Sequence, residues 1–175
     1  DWQIKPANIT TCDGNEIHWQ SSVRYLGVYI AASRVFSCEF ENAKKSFYRA
    51  FNAVFGKIGG RACEEVVLHM MKFKCMPMLM YGLEVCPMKK RQLNSLEFVL
   101  TNCFMKIFKT KSKDVVIDCM SFFDFPNMCT AINVRKEKFL RKFIVNFNVN
   151  CICCIFIATA KTELNAVRTQ LLSVV

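Results

Sequence analysis

Acidic side chains spaced to hold divalent metals are sparse in this chain of 175 residues. Two-metal catalysis needs two or three carboxylates held together, and a hard cation needs more oxygen ligands than a single pair supplies. Asp114 and Asp118 are four residues apart on one face of a predicted helix, although Asp114 is equally typical of a first helical turn. Asp124 stands alone and is typical of a helix end or turn. We therefore predict no catalytic residue, no metal site and no cofactor in this chain.

Cysteine is abundant, with 11 residues, whereas His occurs only twice. Zinc fingers pair one Cys-x2-Cys unit with a second pair of ligands, and the sequence contains no such combination. His69 lies beside two Met residues and is typical of the edge of a core. Free thiols and the lack of a visible secretion signal predict an intracellular location, cytoplasmic or nuclear. Several cysteines fall at apolar helix positions, where a thiol packs as a small hydrophobic group: Cys63, Cys75, Cys103 and Cys119.

A Gly-rich stretch, Gly56-x-x-Gly59-Gly60-Arg61, precedes a predicted helix, so its backbone amides could meet a phosphate. It lacks the Gly-Lys-Ser/Thr ending of a nucleotide-binding loop. A plain connection between two helices is therefore the favoured interpretation.

Basic side chains give the strongest functional signal. The chain has 24 Lys and Arg against 14 Asp and Glu, a net charge of +10, and residues 40–111 hold 13 of the basic against 5 of the acidic residues. Such a balance favours an anionic partner, most commonly nucleic acid. Lys44, Lys45 and Arg49 cluster on a predicted helix opposite its Phe residues, and Lys57 follows on the same helix. This face is interpreted either as a phosphate-binding surface or as an ordinary solvated helix surface.

The elements that carry these residues change character along the chain. Asp13-Gly14, between two short apolar runs, is typical of a hairpin turn. Residues 24–30 alternate as a third strand, in which Gly27 marks a bulge or the close approach of another backbone. From about residue 39 the apolar residues recur every three or four positions, which predicts helices, the second interrupted near Cys75 by Pro77.

A third helix is predicted from about Lys89, with an apolar stripe that includes Leu96 and Cys103 and with Lys106 near its C-terminal end, where a cation is favoured. Asn127 is a candidate cap for the last long helix. The predicted fold is mainly α, a small N-terminal antiparallel β-meander followed by a helical bundle.

We divide the chain into a β-meander at residues 1–36, a helical domain at 37–147 and an apolar tail at 148–175. The tail contains the dense apolar run 151–157, interpreted as a buried helix or strand. A membrane span is the alternative, but Asn146, Asn148 and Asn150 interrupt the run. We therefore predict no membrane partner.

Three stretches in this order resemble reverse transcriptases of LINE-type non-LTR retrotransposons. They are Tyr25-Leu26-Gly27-Val28, Ala43-Lys44-Lys45-Ser46-Phe47 and the run from Leu79 to Pro87. The resemblance covers roughly residues 17–147 and fades after Phe147, so a tail outside the native coding sequence is a further alternative. It places this chain just after the polymerase palm, in the thumb.

The resemblance implies a role for each stretch. Tyr25, Leu26 and Gly27 match a strand that lies near the primer terminus in the family, and the helices match the thumb that grips the template–primer duplex. The Phe/Tyr-x-Asp-Asp turn of the catalytic centre is not found in this sequence. The parent enzyme would use Mg²⁺ for RNA-directed DNA synthesis, while this chain alone is expected to be inactive.

The expected partners are an RNA–DNA or DNA duplex, bound independently of base sequence, and the missing palm and fingers. Because the chain begins with Asp1 and not Met, we expect a fragment or a processed chain. Two alternatives remain: a helical protein–protein interaction module with an incidental basic face, and a membrane-associated protein anchored by its tail.

Overall fold

Helices make up most of the protein, and short antiparallel strands occupy its N-terminal part, so the predicted fold class is confirmed. The computed structural model describes residues 7–146 and 154–173. The chain divides into two units, Asp1–Glu39 and Phe40–Val175. The strands belong to the first unit and all the helices of the described residues to the second.

The first unit contains two small sheets. Strands β1 (Ile9–Thr10) and β2 (Glu16–Ile17) pair antiparallel, as the Asp13-Gly14 turn predicts. Gly14 has a φ of 78°, a conformation that glycine adopts without steric cost. A separate three-stranded sheet follows, in the order β3–β4–β5 and antiparallel throughout. Its strands are β3 (Ser22–Tyr25), β4 (Val28–Ala31) and β5 (Cys38–Glu39).

The prediction of one continuous strand over residues 24–30 is wrong. The chain reverses at Leu26 and Gly27, whose φ angles are 46° and 84°, and Tyr25 pairs with Val28 across this turn. Two positive φ angles in a two-residue loop define a turn whose twist matches that of the flanking strands. The alternation of side chains suggested a single strand because a two-residue loop preserves the period of two. Leu26 also gave no sign of a turn, because Leu is uncommon in a left-handed conformation. Gly27 therefore makes a turn and not a bulge.

Helix α1 (Glu41–Ile58) starts the second unit and buries Phe47 and Phe51. Their rings stack with centroids 6.3 Å apart, and Phe51 stacks on Phe55 at 5.6 Å. The recurrence of aromatic residues every four positions therefore creates one continuous apolar face, as predicted. Burying each Phe contributes about 1.5–3 kcal/mol relative to exposure.

The second helical segment changes pitch before Pro77. It comprises α2 (Glu64–Met70), a π-helical stretch at Met71–Cys75 and α3 (Met76–Leu79). Proline has no backbone N–H to donate and its ring crowds the preceding turn, which disfavours a regular α-helix there. The amide of Met76 instead donates to the carbonyl of Met71, five residues earlier. The predicted interruption near Cys75 is thus confirmed as a widened turn.

Three further helices complete the central part of this unit: α4 (Lys90–Ile107), α5 (Lys113–Phe122) and α6 (Met128–Asn146). The apolar stripe predicted for α4 is buried over most of its length, including Leu96, Leu100 and Cys103. Asn127 caps α6 as predicted, because its Oδ1 accepts a hydrogen bond of 2.7 Å from the amide of Thr130. In contrast, α5 buries only Val116.

Helix α7 (Cys154–Leu172) packs antiparallel on α6. Leu140 of α6 meets Ala160 and Leu164 of α7 in an apolar cluster, and Arg168 Nε contacts Glu137 Oε1 at 3.2 Å. Residues 154–173 therefore belong to the helical unit, whereas the prediction for the run 151–153 lies outside the described residues. In the described ranges, no helix combines the length and the apolar character that a membrane crossing requires.

Candidate nucleic-acid interface

Lys45 and Arg49 lie exposed on the side of α1 opposite the buried Phe47. They are four residues apart, which places their side chains on one helical face. Neither forms an ion pair with any acidic side chain of the described residues. Two cations therefore face solvent with their charge uncompensated, which is the arrangement predicted from the sequence.

Lys44, by contrast, is turned into the seam between α1 and α4. Its side chain is only 14% exposed. Its ammonium pairs with Glu41 and donates a hydrogen bond of 2.8 Å to Ser95 Oγ. A cation that is already paired with a carboxylate and partly buried is less able to neutralise a phosphate than an exposed, unpaired one. Lys44 was predicted as a binding residue from its sequence neighbours, but its contacts connect two helices.

The Lys44–Ser95 bond is the first of three polar contacts along this seam. Tyr48 Oη accepts a hydrogen bond of 3.5 Å from Asn102 Nδ2, and Asn52 Oδ1 accepts one of 2.9 Å from Lys106 Nζ. Residue numbers rise together on both helices, so α1 and α4 run parallel here. The seam is a polar stripe that borders the exposed face of α1.

Lys106 is a site residue that sequence analysis assigned elsewhere. Its position near the end of α4 suggested only a favourable interaction with the helix dipole. In the structure its ammonium reaches α1, where it also lies 5.0 Å from the ring centroid of Phe55 and 5.8 Å from that of Phe51. An exposed cation over an aromatic ring is stabilised by about 0.5–1 kcal/mol. No local pattern indicates this contact, because the partners Asn52 and Lys106 are 54 residues apart.

Lys57 lies at the C-terminal end of α1, away from the seam. With Gly56, Gly60 and Arg61 it lines an open polar concavity of about 550 Å³. The chain turns here at Gly59, where a Cβ atom would lie 2.6 Å from the carbonyl oxygen of Phe55. Only glycine therefore fits without a backbone shift. Lys57 and Arg61 place two positive charges at this connection, consistent with the helix-connection interpretation.

Tyr25, Leu26 and Gly27 form the tip of the β3–β4 hairpin in the first unit. Tyr25 is 62% exposed and Leu26 is 73% exposed. An aromatic ring on an exposed hairpin presents a face that can stack on a nucleic-acid base. These residues belong to the first unit and the cations of α1 to the second, so each group is a separate candidate contact.

Charge is distributed unequally between the units. Residues 40–175 contain 21 Lys and Arg against 10 Asp and Glu, a difference of +11, whereas residues 1–39 contain 3 against 4, a difference of −1. Within the helical unit, both carboxylates of α6 and α7, Glu137 and Glu163, are paired with cations of those helices. The positive potential of the protein therefore originates in the helical unit.

The acidic residues considered as metal ligands lie on α5 or just after it. Asp114 occupies the first turn of α5, and Asp124 follows the helix end with a φ of 46°. Across residues 7–146 and 154–173, no three His, Cys, Asp or Glu side chains come together in a group that could hold a metal. Asp124, two residues after the end of α5, has the helix-end position that the sequence predicts.

The cysteines divide by burial. Cys75 and Cys103 lie in the core, as predicted. Cys63 is exposed, so its predicted core position is wrong: it precedes the first turn of α2 as its N-terminal cap residue. Burial and, to a lesser extent, the neighbouring Cys75 raise the pKa of the Cys103 thiol to about 12, against the opposing effect of Lys106.

No protein-family model, curated protein or solved structure matches this chain.

Proposed function

We propose that the helical unit binds the sugar–phosphate backbone of a nucleic-acid duplex without reading its base sequence. The observation that carries this proposal is the exposed, unpaired pair Lys45 and Arg49, directly opposite the buried Phe face of α1. Phosphate contacts fix a protein on a duplex and carry no sequence information. The net charge of +11 on this unit would attract such a duplex over a longer range.

The resemblance to LINE-type reverse transcriptases supports a more specific form of this proposal. In that form the helical unit is a thumb of an RNA-directed DNA polymerase and follows the template–primer duplex. The hairpin tip at Tyr25 would then lie toward the primer, and the catalytic carboxylates and their Mg²⁺ ions would come from the palm.

The test compares two double variants that each remove two exposed cations four residues apart. Lys45→Ala with Arg49→Ala changes the proposed face, and Lys138→Ala with Lys142→Ala changes α6 as a matched control. Removing one cation that binds a phosphate lowers the slope of log affinity against log salt by about one. We expect the α1 variant to lower the slope by about two on both DNA and RNA–DNA duplexes, measured by fluorescence anisotropy.

The control should change the slope much less, and circular dichroism should show both variants folded. Equal losses in the two variants would contradict the assignment of the interface to α1. A wild-type protein that binds neither duplex at low salt would contradict the proposed function itself.

A second function is favoured by the apolar surface of α5. Ile117 is 63% exposed and Phe122 is 82% exposed, and Phe98 of α4 lies beside Ile117 in an apolar groove of about 360 Å³. Contiguous exposed apolar surface is typical of protein–protein contacts. Concentration-dependent association that Ile117→Ser abolishes, together with no salt-dependent duplex binding, would favour an interaction module.

A further inference from the structure

Asn52 and Lys106 together present more hydrogen-bond donors than acceptors to a ligand. A Lys ammonium has three N–H donors, and an Asn side chain has one acceptor oxygen and two N–H donors. Because Lys can only donate, the atom that it contacts at 2.9 Å must be the Asn52 oxygen. The amide N–H groups of Asn52 and two N–H groups of Lys106 remain for a ligand. Both side chains are exposed, so that ligand can reach them.

The ammonium of Lys106 is held at a defined place by its contacts with α1. It bonds to Asn52 and lies over the rings of Phe51 and Phe55. No carboxylate of the described residues pairs with it. Lys44, at the other end of the same seam, differs from Lys106 because Glu41 neutralises its charge. One end of the seam is therefore neutral and the other is cationic.

Arg49 adds a second uncompensated cation at the cationic end. It precedes Asn52 by three residues on α1, a spacing that makes the two side chains neighbours on the helix surface. Its guanidinium can donate two parallel hydrogen bonds to one phosphate. Donors from two helices thus converge on the region around Asn52, and a tetrahedral anion is the ligand that such a set of donors matches.

We propose that Asn52 and Lys106, with Arg49, form a site that binds one phosphate group across the α1–α4 seam. This proposal rests on the proposed function and deepens it, since it locates one backbone phosphate of the bound duplex. The bound group is a phosphodiester of nucleic acid or, from another source, free inorganic phosphate. The site makes the duplex contact α4 as well as α1.

Asn52→Asp and Lys106→Met test the site with duplex binding as the readout. Asn52→Asp retains the contact with Lys106 but replaces the amide donors with a carboxylate, which repels phosphate. Lys106→Met removes the fixed ammonium while keeping an unbranched apolar chain over the rings. Each change should weaken duplex binding about tenfold near 0.1 M salt, and Lys106→Met should lower the salt slope by about one.

Two variants on α7 provide matched controls for the change in charge. Asn165→Asp adds the same negative charge at an exposed helical position, and Lys161→Met removes one exposed ammonium. We expect both controls to bind duplex within about threefold of wild type, because long-range charge effects are screened over about 10 Å at this salt concentration. Competition by inorganic phosphate, against sodium chloride of equal ionic strength, distinguishes the two sources.

The outcomes separate this proposal from the proposed function. If wild type binds duplex and only Asn52→Asp and Lys106→Met lose affinity, the site is supported. Displacement of the duplex by inorganic phosphate would show that the site also binds free phosphate. Wild-type binding that Asn52→Asp and Lys106→Met leave equal to their controls overturns the site but retains the function. No duplex binding by wild type overturns both.

Discussion

Lys44 and Lys45 are adjacent and chemically identical, yet the structure gives them different surroundings. One helical step of about 100° separates their directions, so Lys44 enters the seam beside Ser95 and Lys45 faces solvent. A sequence pattern locates a cationic cluster to within a turn of helix. It does not determine which member of the cluster another helix covers, because that depends on the packing of α4.

Gly59 provides a prediction at the scale of a single residue. A Cβ atom added there would lie 2.6 Å from the carbonyl oxygen of Phe55, whereas one added at Gly60 meets nothing within 4 Å. Gly59→Ala should therefore destabilise the protein by about 1–3 kcal/mol, because the backbone must shift to relieve the overlap. Urea unfolding followed by circular dichroism measures the change.

Gly60→Ala is the matched control and should change the free energy of unfolding by less than about 0.5 kcal/mol or stabilise slightly. Equal destabilisation by the two substitutions would show that helix entropy and not the contact with Phe55 determines the cost.

Among the elements, those with a long and regular period were predictable. The recurrence of Phe in α1 and of apolar residues in α4 identified the buried faces, and Asn127 identified the start of α6. The β3–β4 hairpin was not predicted, because its turn uses Leu26 where Asn, Asp or Gly is usual. The pairing of α7 with α6 was also not predicted, since α7 combines small apolar residues with an irregular polar pattern.

The α6–α7 pair should lose stability in acid. Hydrogen bonds from Arg141 and Arg168 hold the pKa of the Glu137 carboxyl below its ordinary value of 4.5. A lowered pKa in the folded state stabilises the protein above the ordinary pKa, and this contribution is lost as the pH falls through the folded value. Wild type should therefore exceed Glu137→Gln in stability at neutral pH and approach it as the pH falls below the ordinary carboxyl value of 4.5.

Denaturant unfolding at a series of pH values measures this difference, with Asp118→Asn as a control that removes an unpaired carboxylate from α5. A difference between wild type and Glu137→Gln that stays constant from neutral to acid pH would contradict a role for the ionised Glu137. The other ion pairs of α6, Lys136 with Glu163 and Arg135 with Glu84, are present in both proteins and therefore cancel in this difference.

For the whole molecule, the total charge was predictable and its organisation was not. Counting residues indicated an anionic partner and a basic excess after residue 40, whereas the fold sets the unit boundary at Glu39 and Phe40 and shows which of these cations are already paired. The contact between Asn52 and Lys106 joins residues 54 apart, and no local spacing encodes such a pair. The candidate site was therefore predictable on α1 and not on α4.

The core should protect Cys103 from alkylation until the molecule opens. Its side chain is buried, and its pKa of about 12 leaves about one thiolate in 10⁴ near pH 8, while the thiolate is the reactive form. Among the described cysteines, labelling with iodoacetamide should modify the exposed Cys12, Cys63 and Cys129 first. The rate at Cys103 should rise with urea in parallel with the unfolding transition, as mass spectrometry of peptides can follow.

Alkylation of Cys103 in the native protein at the rate of Cys63 would show that this part of the core opens locally. Labelling in full denaturant provides the reference rate, since burial no longer distinguishes the two thiols there.

The π-helical stretch at Met71–Cys75 has a consequence for how this sequence varies. Its hydrogen bonds span one residue more than those of an α-helix, so it accommodates an inserted residue without rotating the helix that follows. Met71, Cys75 and Leu79, spaced by four, thereby share one buried side. Removing a single residue here would therefore restore a regular α-helix and leave the phase of the residues that follow unchanged, and a homologue without the insertion would align with a one-residue gap at this point.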